Sequence, residues 1–145
     1  MGWVKDLSGQ TVGLDSAPLI YFIEDYPIYS SKLTELFEAA EGGSLHLVTS
    51  TVTIGEVLVH PFRSNRQELV QAYRDILLGS AGVSVVSVSS EIAELAARLR
   101  ADHQIRTPDA IQLATAIQAQ APAFVANDRQ LSKISGLKVL VLEEL

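Results

Sequence analysis

The sequence predicts an α/β domain with a largely parallel sheet covered by helices on both faces. Two observations carry this reading: short β-rich apolar runs alternate with stretches of helical period, and the connections between them are short throughout. A third concerns organisation. There is no internal repeat, low-complexity segment or linker, so residues 1–145 read as a single domain, with residues 1–10 as a loose N-terminal arm.

Taken in order, residues 12–14 are brief and apolar and form a buried strand running into "DSAPLIYFIE", a helix from about Pro18. Asp15 then falls at the strand's C-terminal end. Leu33, Leu36, Phe37 and Ala40 recur at helical spacing over residues 30–41, and Gly42-Gly43 ends that helix. A strand follows at 45–48. In "TSTVTIGEVLVHPFR", cap-type residues precede an apolar run that Pro61 should stop, giving a helix with Glu56 in its middle. Leu69, Val70, Tyr73, Ile76 and Leu77 mark the next helix, and residues 83–88 are β-rich. Ser90, with Glu94 nearby, opens a helix lined by Ile92, Leu95, Ala96 and Leu99. Thr107 is the expected cap of the helix "RTPDAIQLATAIQ", which places Asp109 two residues further on. Residues 123–126 form a strand, "NDR" a turn, and residues 137–142 a last strand.

Composition narrows the function classes. The chain is long enough to bury about two thirds of its unfolded surface, and no run approaches the roughly 18 apolar residues needed to cross a bilayer. "MGWVKDLSG" lacks a signal peptide's apolar core. With no cysteine there is neither disulfide nor thiolate metal site. These points predict a cytoplasmic protein without membrane contact. A net charge of −6 excludes nucleic-acid binding through the overall field, so any such contact must be local. Neither a P-loop, a dinucleotide loop nor a G-x-S-x-G elbow is present.

Most of the seventeen acids suit a solvated face, among them Glu35, Glu38, Glu41, Glu91, Glu94, Glu143 and Glu144. Four do not. Asp15 follows a buried strand, Glu56 sits among Ile54, Val57 and Leu58, Asp109 opens an apolar helix, and Asp128 follows the strand "AFVA". Each also has an ordinary structural explanation. Asp15 suits a helix cap, Asp109 a first helical turn, Asp128 a turn, and Glu56 must snorkel, pair or bind something. Jointly they say more, because two of them end strands predicted to be parallel neighbours, and the two helical acids can reach the same sheet edge. Like charges gathered there would force some to protonate unless a hard divalent cation held them. Oxygen ligands favour Mg²⁺ or Mn²⁺ over zinc, and such an ion activates water for phosphodiester hydrolysis.

The chain resembles the PIN-domain nucleases, and within them the VapC-like toxins of toxin–antitoxin pairs. The resemblance is carried by "GLDSAPLIYFIE", "TSTVTIGEVL", "RTPDAIQLATA" and "FVANDRQL", in that order and spanning nearly the whole chain. It implies a three-layer α/β/α sandwich and a Mg²⁺- or Mn²⁺-dependent endoribonuclease. It also carries metal binding and catalysis over to Asp15, Glu56, Asp109 and Asp128, and implies an antitoxin partner and a homodimer. One departure stands out: Ala126 occupies a position where family members often have Thr or Ser, and Asn127 or Ser16 would have to supply that hydroxyl's role.

An RNA substrate needs cations beside the acids. Arg106 and Arg129 are candidates, with Lys133 beyond and Ser16 and Asn127 as polar contacts, and the alternative for both arginines is an ion pair with Asp109 or Asp128. Arg63 and Arg66 suit a solvated helix end, and His60 and His103 suit surface or capping roles. Tyr21, Phe22, Tyr26 and Tyr29 fit base stacking or an apolar helix face. Two rivals remain: a PIN-like module that binds RNA or protein without cutting, and a phosphotransfer domain with its Asp after the first strand. "LDSAP" lacks the second Asp that one class of the latter requires.

Overall fold

The computed structural model describes residues 2–145. Strands β1 (Thr11–Leu14), β2 (His46–Ser50), β3 (Val83–Val86), β4 (Ala123–Ala126) and β5 (Lys138–Val141) form one sheet, ordered β3-β2-β1-β4-β5, in which every pairing is parallel. The chain builds outward from β1 through β2 to β3, then returns to the other side of β1 with β4. The C-terminal ends of β1 and β4 therefore meet where the strand order reverses, the place at which open parallel sheets form their crevice.

Helices α1 (Ser16–Ile23), α2 (Ser30–Glu41), α3 (Thr51–Val57) and α5 (Gln67–Gly79) feed one core cluster, which takes Val12, Leu14, Leu47 and Val125 from the sheet. Helices α6 (Ser90–Asp102) and α7 (Thr107–Gln118) feed a second, which takes Phe124 and Ala126. The alternation within β4 makes the division plain, since Ala123 and Val125 join the first cluster and Phe124 and Ala126 the second. This is the three-layer α/β/α sandwich that the sequence implies. Gly13 of β1 faces α7 so closely that a Cβ there would lie 2.6 Å from both Ala116 Cβ and Phe124 Cδ1. Its bare backbone lets α7 settle on the centre of the sheet, with its N-terminus over the crevice.

Several expectations need correction. For residues 2–10 the arm is not loose: Val4 and Leu7 are buried in the first core cluster, Lys5–Leu7 forms a 3-10 turn, and Gly9 N–H donates to Ser44 O at 2.7 Å. Met1, the rest of that arm, lies outside the described residues. The helix expected to run to Pro61 breaks earlier, into α3 and α4 (Val59–Arg63). Proline has no N–H for a carbonyl one turn back, so Pro61 sits in the first turn of α4, where that donor is not needed, and the break falls at Leu58. Helix α1 begins at Ser16 rather than Pro18, and α7 is capped by Arg106 rather than Thr107, which makes Thr107 its first residue. Ser90 opens α6 as expected, and the residue before it, Ser89, caps the helix, with its Oγ accepting from Ile92 N.

Candidate functional site

Asp15 stands at the middle of the crevice. Its N–H donates to Val125 O at 3.0 Å, carrying the β1–β4 ladder one step past Leu14, and its carboxylate caps α1 by accepting from Ser16 N at 2.9 Å. The capping role expected of it is therefore real, and it leaves Oδ2 uncommitted to the cap. Burial pushes the Asp15 carboxyl up to about 7 despite the Ser16 N–H, and the charges of Asp109, Glu56 and Asp128 push it the same way. All three other acids thus act on one half-buried carboxylate.

Asp109 lies in the first turn of α7, half-buried, with Oδ2 accepting from Arg106 Nε at 3.3 Å. Of the two roles open to Arg106, the ion pair is the one adopted, and it holds the guanidinium above its ordinary pKa. Asp128 is exposed and caps the 3-10 helix Arg129–Lys133, accepting from Gln130 N at 3.0 Å. Glu56 corrects an expectation. It is the penultimate residue of a seven-residue helix rather than the middle of a long one, and the early break leaves it exposed instead of desolvated among apolar neighbours. Its Oε1 nevertheless has a fixed partner, accepting from Ser16 Oγ at 2.6 Å.

Ser16 thus places a hydroxyl on Glu56, whereas Ala126 is fully buried in the second core. Asn127 does not share the task. Its Nδ2 donates to Tyr29 Oη at 3.1 Å and its Oδ1 accepts from Glu143 N at 3.1 Å, tying the approach to α2 to the C-terminal turn. Arg129 pairs with neither Asp109 nor Asp128; it bridges Glu143 at 2.9 Å and Glu144 at 3.2 Å. Tyr21 packs against both Tyr26 and Tyr29, with ring centroids 4.7 and 4.8 Å away, so these three rings pack on one another.

A cleft of about 440 Å³ opens beside the acids, lined by Asp109 and Asp128 on one side and by Arg100, His103, Arg106 and Gln130 around it. His103, expected in a surface or capping role, takes the capping one, ending α6 with its N–H on Leu99 O at 2.9 Å, and stands half-buried in this wall. Sequence reading also missed the polar floor of the site. Thr49, Ser50, Thr53 and Gln112 are all buried and hydrogen-bonded to one another, and Ser16 joins them. The available signal was Gln112 itself, a polar side chain on the apolar stripe of "DAIQLATA".

Does a hard divalent cation suit this place? The donors are carboxylate oxygens, and a half-buried carboxylate whose pKa desolvation raises first and three like charges raise further is the electrostatic situation that such an ion relieves. Among the described residues, however, no three acidic or histidine side chains close up into a ready-made cage. The acids suit the ion in chemistry and field and stand more widely spaced than a finished coordination sphere.

The model of the PIN domain family matches residues 12–137. No curated protein sequence matches the chain. Among solved structures, VapBC2 from Rickettsia felis bound to a DNA fragment from their promoter is similar over 90% of this chain and 98% of that one, with a TM-score of 0.72 and 20% identity. A toxin–antitoxin complex from Klebsiella pneumoniae gives 0.66 and 22%, covering 90% of this chain and 96% of that one. VapC20 from Mycobacterium tuberculosis, a sarcin-ricin loop cleaving toxin, gives 0.65 and 14%, covering 88% and 98%. At these identities the likeness is one of fold.

Proposed function

The chain belongs to the PIN domain family, and on that premise we propose that it is a Mg²⁺- or Mn²⁺-dependent endoribonuclease, the toxin of a toxin–antitoxin pair. The observation that carries this reading is the gathering of Asp15, Glu56, Asp109 and Asp128 around one crevice, with the Asp15 carboxyl pushed up to about 7. Asp15, held by the ladder and the cap, would be the fixed ligand, with Asp109 beside it on α7 and Glu56 oriented by Ser16. When bound, the ion supplies an acidified water and positive charge beside the phosphate. Arg106 has its charge next to Asp109 and 77% of its side chain exposed, so it can turn to a phosphate once a cation takes over the acid.

A protein partner fits the same reading. Ile28, Val59 and Phe62 are exposed large apolar side chains of the kind a bound antitoxin covers, and the Klebsiella and Rickettsia structures are described as a toxin–antitoxin complex and as VapBC2. A homodimer and a cytoplasmic location belong to the proposal as well. No helix among the described residues is long and apolar enough to cross a membrane.

Replacing Asp109 with Asn tests the enzyme. Asparagine keeps the size of the side chain and forfeits only a surface ion pair worth about 0.5 kcal/mol, so the variant should fold and lose Mg²⁺-dependent RNA cleavage by at least about 100-fold. Undiminished cleavage by the folded variant removes the proposed site. The wide spacing of the acids and Ala126 favour one rival, a module that binds without cutting. Mn²⁺ titration separates the two, since no uptake at millimolar concentration supports the module.

A further inference from the structure

The buried floor of the site has a direction. Gln112 Oε1 receives Ser50 N–H at 3.3 Å and Ser50 Oγ at 2.8 Å. A backbone N–H can only donate, so this contact fixes which end of the amide is oxygen. The amide nitrogen then faces the other way, donating to Thr53 Oγ1 at 2.5 Å and Ser16 Oγ at 3.4 Å. Thr49 Oγ1 lies 3.3 Å from Gln112 Oε1 and 2.7 Å from Thr53 Oγ1, which closes the ring. Ser16, supplied with a hydrogen from below, is free to give its own to Glu56. No buried side-chain nitrogen or oxygen among the described residues lacks a partner.

The members of this ring are placed beside the acids. Ser16 follows Asp15 in the chain, Thr53 lies one helical turn before Glu56 on α3, and Gln112 lies one turn after Asp109 on α7. Ser50 also caps α3 by accepting from Val52 N at 3.2 Å, so the Gln112 carbonyl orients the hydroxyl that starts the helix bearing Glu56. Three carboxylates on three separate elements are thereby referred to one buried amide.

We propose that Gln112 is a positioning residue that fixes the mutual spacing of Asp15, Glu56 and Asp109 by clamping α3 and Ser16 to α7. Hydrophobic packing alone would let α3 slide, because it is short and only Thr53 and Val57 of its residues are buried. Directional hydrogen bonds in a dry interior resist such sliding. Asp128 stands outside the arrangement, two residues past strand β4, whose last residue, Ala126, packs in the second core. The consequence for metal affinity rests on the cation reading above, whereas the clamping itself does not.

The test uses the full chain with Gln112→Met, which conserves volume and removes both ends of the amide, alongside Thr53→Val and Thr53→Ser. In metal-free protein, amide hydrogen exchange over residues 52–57 should quicken at least about 10-fold in Gln112→Met and Thr53→Val, and stay near the unsubstituted rate in Thr53→Ser. Strand β4 should be unaffected. Calorimetric Mn²⁺ affinity should fall about 10- to 100-fold, as for other groups that orient metal ligands, and RNA cleavage should lose kcat with KM little changed. Unchanged exchange in folded Gln112→Met overturns the proposal. If that variant does not fold, equal behaviour of Thr53→Val and Thr53→Ser overturns it. An unsubstituted chain that takes up no Mn²⁺ while its variants still loosen α3 removes the cation reading and leaves the clamp standing.

Discussion

Asp15 concentrates the electrostatics of the molecule in one side chain. Its folded pKa of about 7 lies above the ordinary 3.8, so the folded state holds the proton more tightly than the unfolded chain does. The stability linked to this group is therefore complete below about pH 4 and declines as pH rises, and above about pH 7 the fold carries a half-buried charge. Metal-free Asp15→Asn should accordingly melt higher than the unsubstituted chain at pH 8, by on the order of 2 kcal/mol, and converge with it near pH 4. Adding Mg²⁺ at pH 8 should raise the melting temperature of the unsubstituted chain and leave that of Asp15→Asn nearly unmoved. Thermal melts across pH, with and without the ion, decide both points. Glu56 offers a contrast, since its fixed orientation comes from a single donor. Ser16→Ala should free it and lower cleavage, and because the same hydroxyl accepts from buried Gln112 Nε2, it should also lower the melting temperature, by about 1–3 kcal/mol of stability.

Among the elements, α7 and β1 pack with no room for a side chain at Gly13. Because a Cβ on Gly13 would meet Ala116 and Phe124 at 2.6 Å, Gly13→Ala should destabilise the protein by about 1–3 kcal/mol through overpacking. It should also lift the α7 N-terminus away from Asp15, so that cleavage falls further than stability alone explains. Denaturant unfolding and an RNA assay on the same variant separate the two effects. The α3–α4 break shows the opposite economy, in which a missing donor shapes the chain without strain. Pro61 ends no helix; by lying in the first turn of α4 it moves the discontinuity to Leu58 and leaves Glu56 at an open end.

For the whole molecule, the net charge is negative, and both arginines expected beside the acids, Arg106 and Arg129, are paired with carboxylates. Affinity of the cleavage-silenced Asp109→Asn chain for single-stranded RNA should therefore depend weakly on salt. A slope of log affinity against log salt near about −2 corresponds to roughly three phosphates. A slope several times steeper, measured by titration at several salt concentrations, would mean an extended basic contact and overturn this expectation.

Alternation of strand and helix, the core stripes Leu33-Leu36-Phe37-Ala40 and Ile92-Ala96-Leu99, and the placement of Asp15 and Asp128 after parallel neighbouring strands were legible in the sequence. Each depends on period or on position along one element, and local periodicity survives in a linear string. What a side chain faces across the fold is a different matter. The burial of Val4 and Leu7, the turning of Arg129 toward Glu143 and Glu144, and the ring joining Gln112 to Ser50, Thr53 and Ser16 all join residues far apart in sequence. A glutamine on an apolar stripe announces only that it needs partners, and four side chains from three other segments became those partners once the sheet had brought β1, β2 and α7 together. The sequence by itself determined the layers and the acids; the tertiary structure alone decided which hydroxyl and which amide hold those acids in place, because hydrogen-bond geometry exists only between groups that folding has made neighbours.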